Sequence, residues 1–385
     1  LLSFDFAIPG ISDSAWVVFT SASNNAQDVT LRHSCMSENN AVINFNKSHF
    51  IEIKHLTLQA VHNSSEYGCC VNLMDSCTDI KINHNILLGV DTVPLYINRL
   101  VNIRNEVVGM ASDIEITNNL LRHGAYSIQL TGLGLGSQAY NNSIVDNTIE
   151  DFYYAGIQLS RQNNLQVSGN KISSIKAVSS SNGIYISEVN QLKAEKNSIY
   201  GSFQYGMYLD RVQAASSNPA SISNNFISTL SSNGSSVHFI YGENIRFYHN
   251  SLLQRGAGKV FSNSNYTQAI IRNNILSNYG GGYVCNYYNG FNSDYNILYT
   301  SGPTFSNYGS FSSLQTTYNM ESHSYNLDPQ YMSESNLHLF HESVNNTGTP
   351  VGIMVDIDGE IRDSLLPDIG ADEFTGVAVV PCVDP

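Results

Sequence analysis

Apolar and polar residues alternate in short runs along most of the chain, and between Asn164 and Leu252 the alternation itself repeats. NLQVSGNKI, QLKAEKNSI, PASISNNFI and NIRFYHNSL each carry two alternating apolar residues and a short polar turn ending in Asn. A further apolar residue follows two places on. Aligned on that Asn, Leu165, Leu192, Ala220 and Ile245 share one column, Val167, Ala194, Ile222 and Phe247 a second, and Ile172, Ile199, Ile227 and Leu252 a third. A period of two is the pattern of a strand, and an apolar site resuming beyond a turn means that the chain bends and continues. Units of roughly 20–35 residues built this way stack as a solenoid.

The columns extend in both directions. One runs from Leu31 and Ile53 to Ile271 and Ser293, the other from Met36 and Leu58 to Leu276 and Leu298. Asn recurs between them at positions 85, 119, 147, 170, 197, 225, 250, 274 and 296. Spacing varies while the columns persist, which implies a constant core with loops of changing length. Asn tolerates the left-handed φ that a turn between strands needs. Its amides, stacked at about 4.8 Å, can also bond to one another up the array; a row of ligand-binding amides is the alternative. A further strand recurs in each unit: CVNLMD, PLYINR, YSIQLT, AGIQLS, NGIYIS, YGMYLD and SVHFIY. Ile128 and Leu130, Ile157 and Leu159, Ile184 and Ile186, and Met207 and Leu209 would point inward. Asn72, Tyr96, Gln129, Gln158, Tyr185, Tyr208 and His238 would point outward. Two or three strands per unit with no helical period predict an all-β parallel β-helix of about eleven coils.

Composition narrows the chemistry. Charged residues make up 13% of the 385, and the net charge is −14. Eighteen scattered Lys and Arg make no phosphate-tracking surface, so nucleic acid is not expected as a partner. The chain holds no apolar run long enough to span a membrane. LLSFDF lacks the features of a signal peptide, and both ends read as cuts from a longer protein. Cys35, Cys69, Cys70, Cys77, Cys285 and Cys382 fix no pairing. One or two disulfides among the first four, or buried thiols, are both consistent with the spacing, and no CxxC pair marks a zinc ribbon.

At this point the chain resembles the right-handed parallel β-helix superfamily, which includes pectate-lyase-like enzymes and many non-enzymatic surface proteins. AIPGISDSAWVVFTSASNNAQDVTLRH resembles the opening, and NLDPQY, NLHLF and DIDGEIRDSLLPDIGADEF the closing, of β-helix domains in giant secreted proteins of Bacteroidota. That resemblance implies a right-handed solenoid, export by type 9 secretion, an extracellular or cell-surface location and adhesion. It also implies this division: N-terminal edge or cap strands over 1–27, coils over 28–300, an irregular segment with a C-terminal hairpin cap over 301–376, and a linker to a following module over 377–385.

Enzymes of this fold work along one exposed strand face. The expected ligand-binding surface is therefore Gln158, Arg161, Tyr185, Glu188, Tyr208, Asp210, Arg211 and His238. Aromatic rings there would meet sugar CH groups, and amides and carboxylates would meet hydroxyls; the plainer reading is that Tyr suits a pleated surface. Glu188 and Asp210, one column apart on neighbouring coils, are the candidate catalytic acids, since glycoside hydrolysis needs two carboxylates about 5–9.5 Å apart. Arg161 and Arg211 beside them suggest instead an ion-paired ladder. Asp356, Asp358 and Glu360 offer oxygen ligands to a structural calcium; the competing reading is a DG hairpin that caps the last coil, with Arg362 paired to a local acid. No other cofactor is expected. GLGLGS (132–137) lacks the Lys and helix of a phosphate loop, and HLFH (338–341) lacks an obvious third metal ligand. The aromatic cluster of Tyr279, Tyr283, Tyr287, Tyr288, Phe291 and Tyr295 covers the end of the core or forms a sugar platform. The sequence thus predicts a non-catalytic structural or adhesive domain with a glycan-binding face. A polysaccharide lyase or glycoside hydrolase in the same groove is the alternative.

Overall fold

The computed structural model describes residues 2–374 apart from 6–7, 9, 36–40, 62–67, 92–99, 106–109, 135–136, 288–289 and 340–343. Met36, Tyr96, Arg99, Tyr288, His341, Cys382 and the 377–385 linker lie outside the described residues. The fold is an all-β, right-handed parallel β-helix that divides into two compact units, Leu1–Lys193 and Ala194–Pro385.

In the first unit the coils stack their strands in three rows, and the long strand Ala155–Ser168 runs through the first two. The first row contains Ala41–Asn46, Gly68–Met74, Leu100–Asn105 and Tyr126–Thr131, and the second Ile51–Lys54, Thr78–Asn83, Ser112–Thr117 and Ser143–Val145. The third runs through Thr30–Ser34, Thr57–Val61, Ile86–Leu88, Leu120–Arg122, Thr148–Glu150 and Lys171–Ser174. Pairing is parallel throughout, so like side chains stack: Ile53 on Ile82, Ile116 on Ile144, and Leu121 on Ile149. These residues are fully buried, as are Ile128, Leu130, Ile157, Leu159, Ile184 and Ile186, which point inward as expected. Coiling begins earlier than the 28–300 range, because Leu2–Asp5 and Val17–Thr20 already pair with Ala41–Asn46 and Ile51–Lys54. Phe19, not Leu31, stands opposite Ile53, and Leu31 stands opposite Leu58. That first coil lacks the Asn turn on which the columns were aligned, so its register slipped. The strand expected at PLYINR (94–99) lies outside the described residues; Leu100–Asn105 occupies the first row and puts Arg104 opposite Asn72 and Gln129.

The Asn residues form a buried ladder. In the first unit the backbone N–H of Asn85 donates to Asn119 Oδ1 (2.9 Å), Asn119 to Asn147 (3.0 Å) and Asn147 to Asn170 (3.1 Å). Each Nδ2 donates to the same oxygen and also to a neighbouring-coil carbonyl: Asn119 to Ile82, Asn147 to Ile116, and Asn170 to Ile144. The left-handed φ belongs to the residue before the ladder Asn. His84, Asn118 and Asp146 have φ between 53° and 55°, and Gly169 has 69°. Asn is therefore selected for its amide, which closes the turn by satisfying backbone groups that would otherwise be buried unpaired.

The second unit repeats the design. Asn197 donates to Asn225, Asn225 to Asn250, Asn250 to Asn274 and Asn274 to Asn296, over 2.8–3.1 Å. Its third row is Ser198–Gly201, Phe226–Thr229, Ser251–Gln254, Ile275–Asn278 and Ile297–Thr300. The ladder ends on a polar stop: Asn296 donates to Ser324 Oγ (2.8 Å) and to Oε2 of the fully buried Glu321 (3.0 Å). Burial pushes the Glu321 carboxyl up despite hydrogen bonds from Asn296, Ser293, Ser324 and Tyr287. A short helix, Phe311–Thr316, is capped by Ser310 and buries Leu314. Tyr287 packs against Phe261 and Phe291, so this part of the aromatic cluster is core.

The DIDGE hairpin forms, with Val355 and Ile361 bridged antiparallel, and Arg362 meets Glu373 at 3.0 Å. The closing segment covers more than one coil. Leu337, Ile357 and Ala371 pack on Phe226 and Leu253, while Leu339, Val344 and Ile369 pack on Ile275 and Ile297. Phe226–Thr229, Ser251–Gln254 and Ile275–Asn278 of the third row are buried along their whole length, whereas the matching row of the first unit shows polar outer positions such as Arg122 and Lys171. Cys35, Cys69, Cys70, Cys77 and Cys285 are buried thiols outside any disulfide, which decides between the two readings for the described cysteines. Burial lifts the Cys69 thiol to about 12.

Candidate functional site

In the first unit the chain bends sharply at Arg161 and Glu188, each with φ near 55°. These bends bring Arg161 Nε to 3.1 Å from Glu188 Oε2. Gln138 donates through Nε2 to the Glu188 carbonyl (3.1 Å) and accepts at Oε1 from Asn190 Nδ2 (2.8 Å). Gln158 is half-buried opposite Gln129 in the strand register. Tyr185 is half-buried near Tyr126, which stacks on Tyr154 at 6.1 Å and is raised to about 12 by burial and by its phenol neighbours. Glu188 thus sits in the ion-paired arrangement that competed with its catalytic reading.

In the second unit the parallel register places Tyr208, His238 and Ser262 in one row, and Tyr205, Ser235 and Lys259 in another three residues earlier along each strand. Tyr205 stacks on His238 at 4.9 Å and 22°, and Tyr208 lies 5.2 Å from Tyr205 and 5.5 Å from His238. His238 is enclosed rather than outward-facing. Its Nδ1 lies 2.7 Å from Ser262 Oγ and its Nε2 3.1 Å from Ser264 Oγ. Asn72, in the first unit, is likewise buried, under Arg104, whose Nε donates to its Oδ1 at 3.2 Å. Burial, with a smaller push from Lys259, lowers His238 to about 4, so the ring is neutral at physiological pH. Beside these rings lies a cavity of about 430 Å³ lined by Tyr205, Ser232, Asn233, Ser235, Lys259 and Ser264 among others. Glycine keeps its wall thin: a Cβ on Gly258 would sit 2.5 Å from the Gly234 carbonyl oxygen.

Asp210 is buried and meets exposed Arg211 at 2.8 Å. Arg211 also lines a second cleft of about 290 Å³ with Tyr241, Glu243 and Tyr266. Tyr241 and Tyr266 are 43% and 54% exposed, which leaves their ring faces accessible. The two candidate acids are therefore each engaged by an arginine of their own unit. Tyr205, Lys259, Ser264, Tyr241 and Tyr266 were missed in the sequence. A signal for the cavity beside His238 was the pair of small-residue loops SSNGSS and RGAGK, which supply Ser232, Asn233, Ser235 and Lys259 to it.

Among the calcium candidates, Asp356 is fully buried. Its Oδ1 accepts from the N–H groups of Asp358, Gly359 and Glu360, and its Oδ2 from Glu373. Those bonds occupy the carboxylate in shaping the turn. Glu360 is exposed, and Asp358 turns instead to His338, at 2.6 Å. Asp372 lies 3.9 Å from the same imidazole nitrogen and is raised to about 6, chiefly by burial.

The family described as "Right handed beta helix region" matches residues 107–275. No curated protein matches the chain. Among solved structures, the Dettilon tailspike protein (gp208) aligns with a TM-score of 0.40 and 11% identity, over 80% of this chain and 60% of that one. The chain therefore spans 60% of that protein's length. Among the described residues no helix is long and apolar enough to cross a membrane.

Proposed function

We propose that this chain is a non-catalytic structural and adhesive β-helix domain of a larger secreted or cell-surface protein, and that its second unit binds glycan in the Tyr205–His238 groove. The supporting observation is the stacking of half-buried Tyr205 on buried His238 beside a rim of Ser, Asn and Lys side chains. Aromatic faces are suited to the CH surfaces of sugars, and hydroxyls and amides to their OH groups. A neutral His238 held by two serines orients the platform without adding charge. Export through type 9 secretion, and a source in Bacteroidota, rest on the opening and closing segments of the sequence alone. A sorting domain at the end of the parent gene would test them. Glycan-array screening followed by calorimetry on the full chain tests the binding. Tyr205→Ala is expected to weaken a bound oligosaccharide by about tenfold or more, while Tyr205→Phe retains it. Silence on the array would reduce the domain to a spacer. Turnover of a uronan or neutral polysaccharide, abolished by Glu188→Ala or Asp210→Ala, would overturn the non-catalytic reading in favour of a lyase or hydrolase.

A further inference from the structure

The closing segment brings three metal-ligating side chains together from stretches far apart in the sequence. His338 follows the NLHLF turn, Asp358 sits at the tip of the DG hairpin, and Asp372 lies in the final DIGADEF run. Their ligand atoms all fall within 4.8 Å of one another. His338 Nε2 lies 2.6 Å from Asp358 Oδ2 and 3.9 Å from Asp372 Oδ1. Ligands of a tetrahedral zinc ion with bonds near 2.0–2.2 Å stand about 3.3 Å apart, and the two separations straddle that value.

A second observation lies outside the three residues. His338 Nδ1 hydrogen-bonds Asn336 Oδ1, and an amide oxygen only accepts, so Nδ1 carries the proton. In a neutral imidazole this puts the Nε2 lone pair towards the two carboxylates. A cation can then take the place of the proton that otherwise bridges Nε2 and Asp358 Oδ2 across 2.6 Å. Fixing a ligating histidine through its other nitrogen is the usual supporting interaction of such sites. Phe226 packs edge-on against the His338 ring at 4.9 Å and holds its plane. Asp372 is buried, while Asp358 is exposed and opens one side to solvent, which leaves room for water as a fourth ligand.

We propose that His338, Asp358 and Asp372 bind one transition-metal dication, with Zn²⁺ the best match to one imidazole and two carboxylates. The ion would join three separate stretches of the closing segment. It replaces the calcium reading of the DIDGE turn, whose Asp356 already serves four backbone N–H groups.

Titration of ZnCl₂ into the chelator-treated full chain, followed by calorimetry, tests the site. One equivalent is expected, lost in Asp372→Asn and His338→Ala and weakened about 10–100-fold in Asn336→Ala. Asp358→Asn, at an exposed position, carries the test should a buried variant fail to fold as judged by circular dichroism. The cobalt(II)-loaded chain should show the visible bands of a tetrahedral site. Absence of binding would overturn the proposal and leave His338 as an imidazolium paired with Asp358. Binding that survives both Asp358→Asn and Asp372→Asn would overturn it too, by placing the metal elsewhere, such as on the buried thiols.

Discussion

At the scale of single residues, the ladder asparagines do the most for the fold. Asn250 accepts from the Asn225 N–H and Nδ2, and donates to the carbonyls of Ile222 and Tyr248 and to Asn274. It is completely buried, so Asn250→Ala leaves several backbone groups without partners or water. Each such group costs about 1–3 kcal/mol, and the variant should lose about 3–5 kcal/mol in urea denaturation. A loss below about 1 kcal/mol would mean that water enters the ladder. The sequence made this row visible because the amide recurs at a fixed place. Of the two reasons it offered for the Asn, the amide ladder forms and the left-handed φ falls on the residue before it, because a turn and a hydrogen-bonding side chain both favour Asn at adjacent positions. Tyr295 and His249, which occupy the left-handed position with φ of 56° and 52°, show that the turn itself accepts many residue types.

At the scale of elements, inward columns were legible and outer cover was not. Alternation reports which face of a strand is apolar. In Phe226–Thr229, Ser251–Gln254 and Ile275–Asn278 both faces are buried, and short runs such as SLLQ carry no period to separate them. The closing segment that lies on these strands is irregular, so its packing could not be read from periodicity. Its anchor is Arg362, which is buried and bonds Glu373, Asn224, and the carbonyls of Gly370 and Ala371. Glu373 in turn accepts from the N–H groups of Asp363 and Asp368. Removing one partner strands a buried charge, at about 3–5 kcal/mol. Arg362→Met should therefore cost that much and raise dye binding to the exposed face of Phe226, Leu253, Ile275 and Ile297. Replacing both partners, with Glu373→Gln added, should cost less than the sum of the two single changes. An additive double-mutant cycle would show that the pair is not the anchor.

At the scale of the whole molecule, the sequence shows one uninterrupted array, yet the fold resolves into two compact units, a division that no change of column or composition marks. Charge is also a property of the whole: at −14 the chain repels itself, and protonation of its carboxylates relieves that repulsion as pH falls. Glu321 and Asp368, both raised by burial (Asp368 to about 6), are proton acceptors in the fold and add stability on acidification. His238 acts in the opposite sense. Tyr205, Tyr208 and Lys259 are the titratable groups around it, and none supplies a negative charge at neutral pH. Its pKa of about 4 in the fold lies below the 6.5 of an unfolded histidine. The unfolded chain therefore takes the proton first, and the stability that this residue contributes above pH 6.5 is lost as pH falls towards 4. Comparing the wild type with His238→Gln cancels the shared carboxylate effects. The difference in unfolding free energy should shrink on acidification through that window by up to about 1.4 kcal/mol per pH unit. Parallel stability curves for the two proteins would show that His238 takes up its proton in the fold as readily as in the unfolded chain.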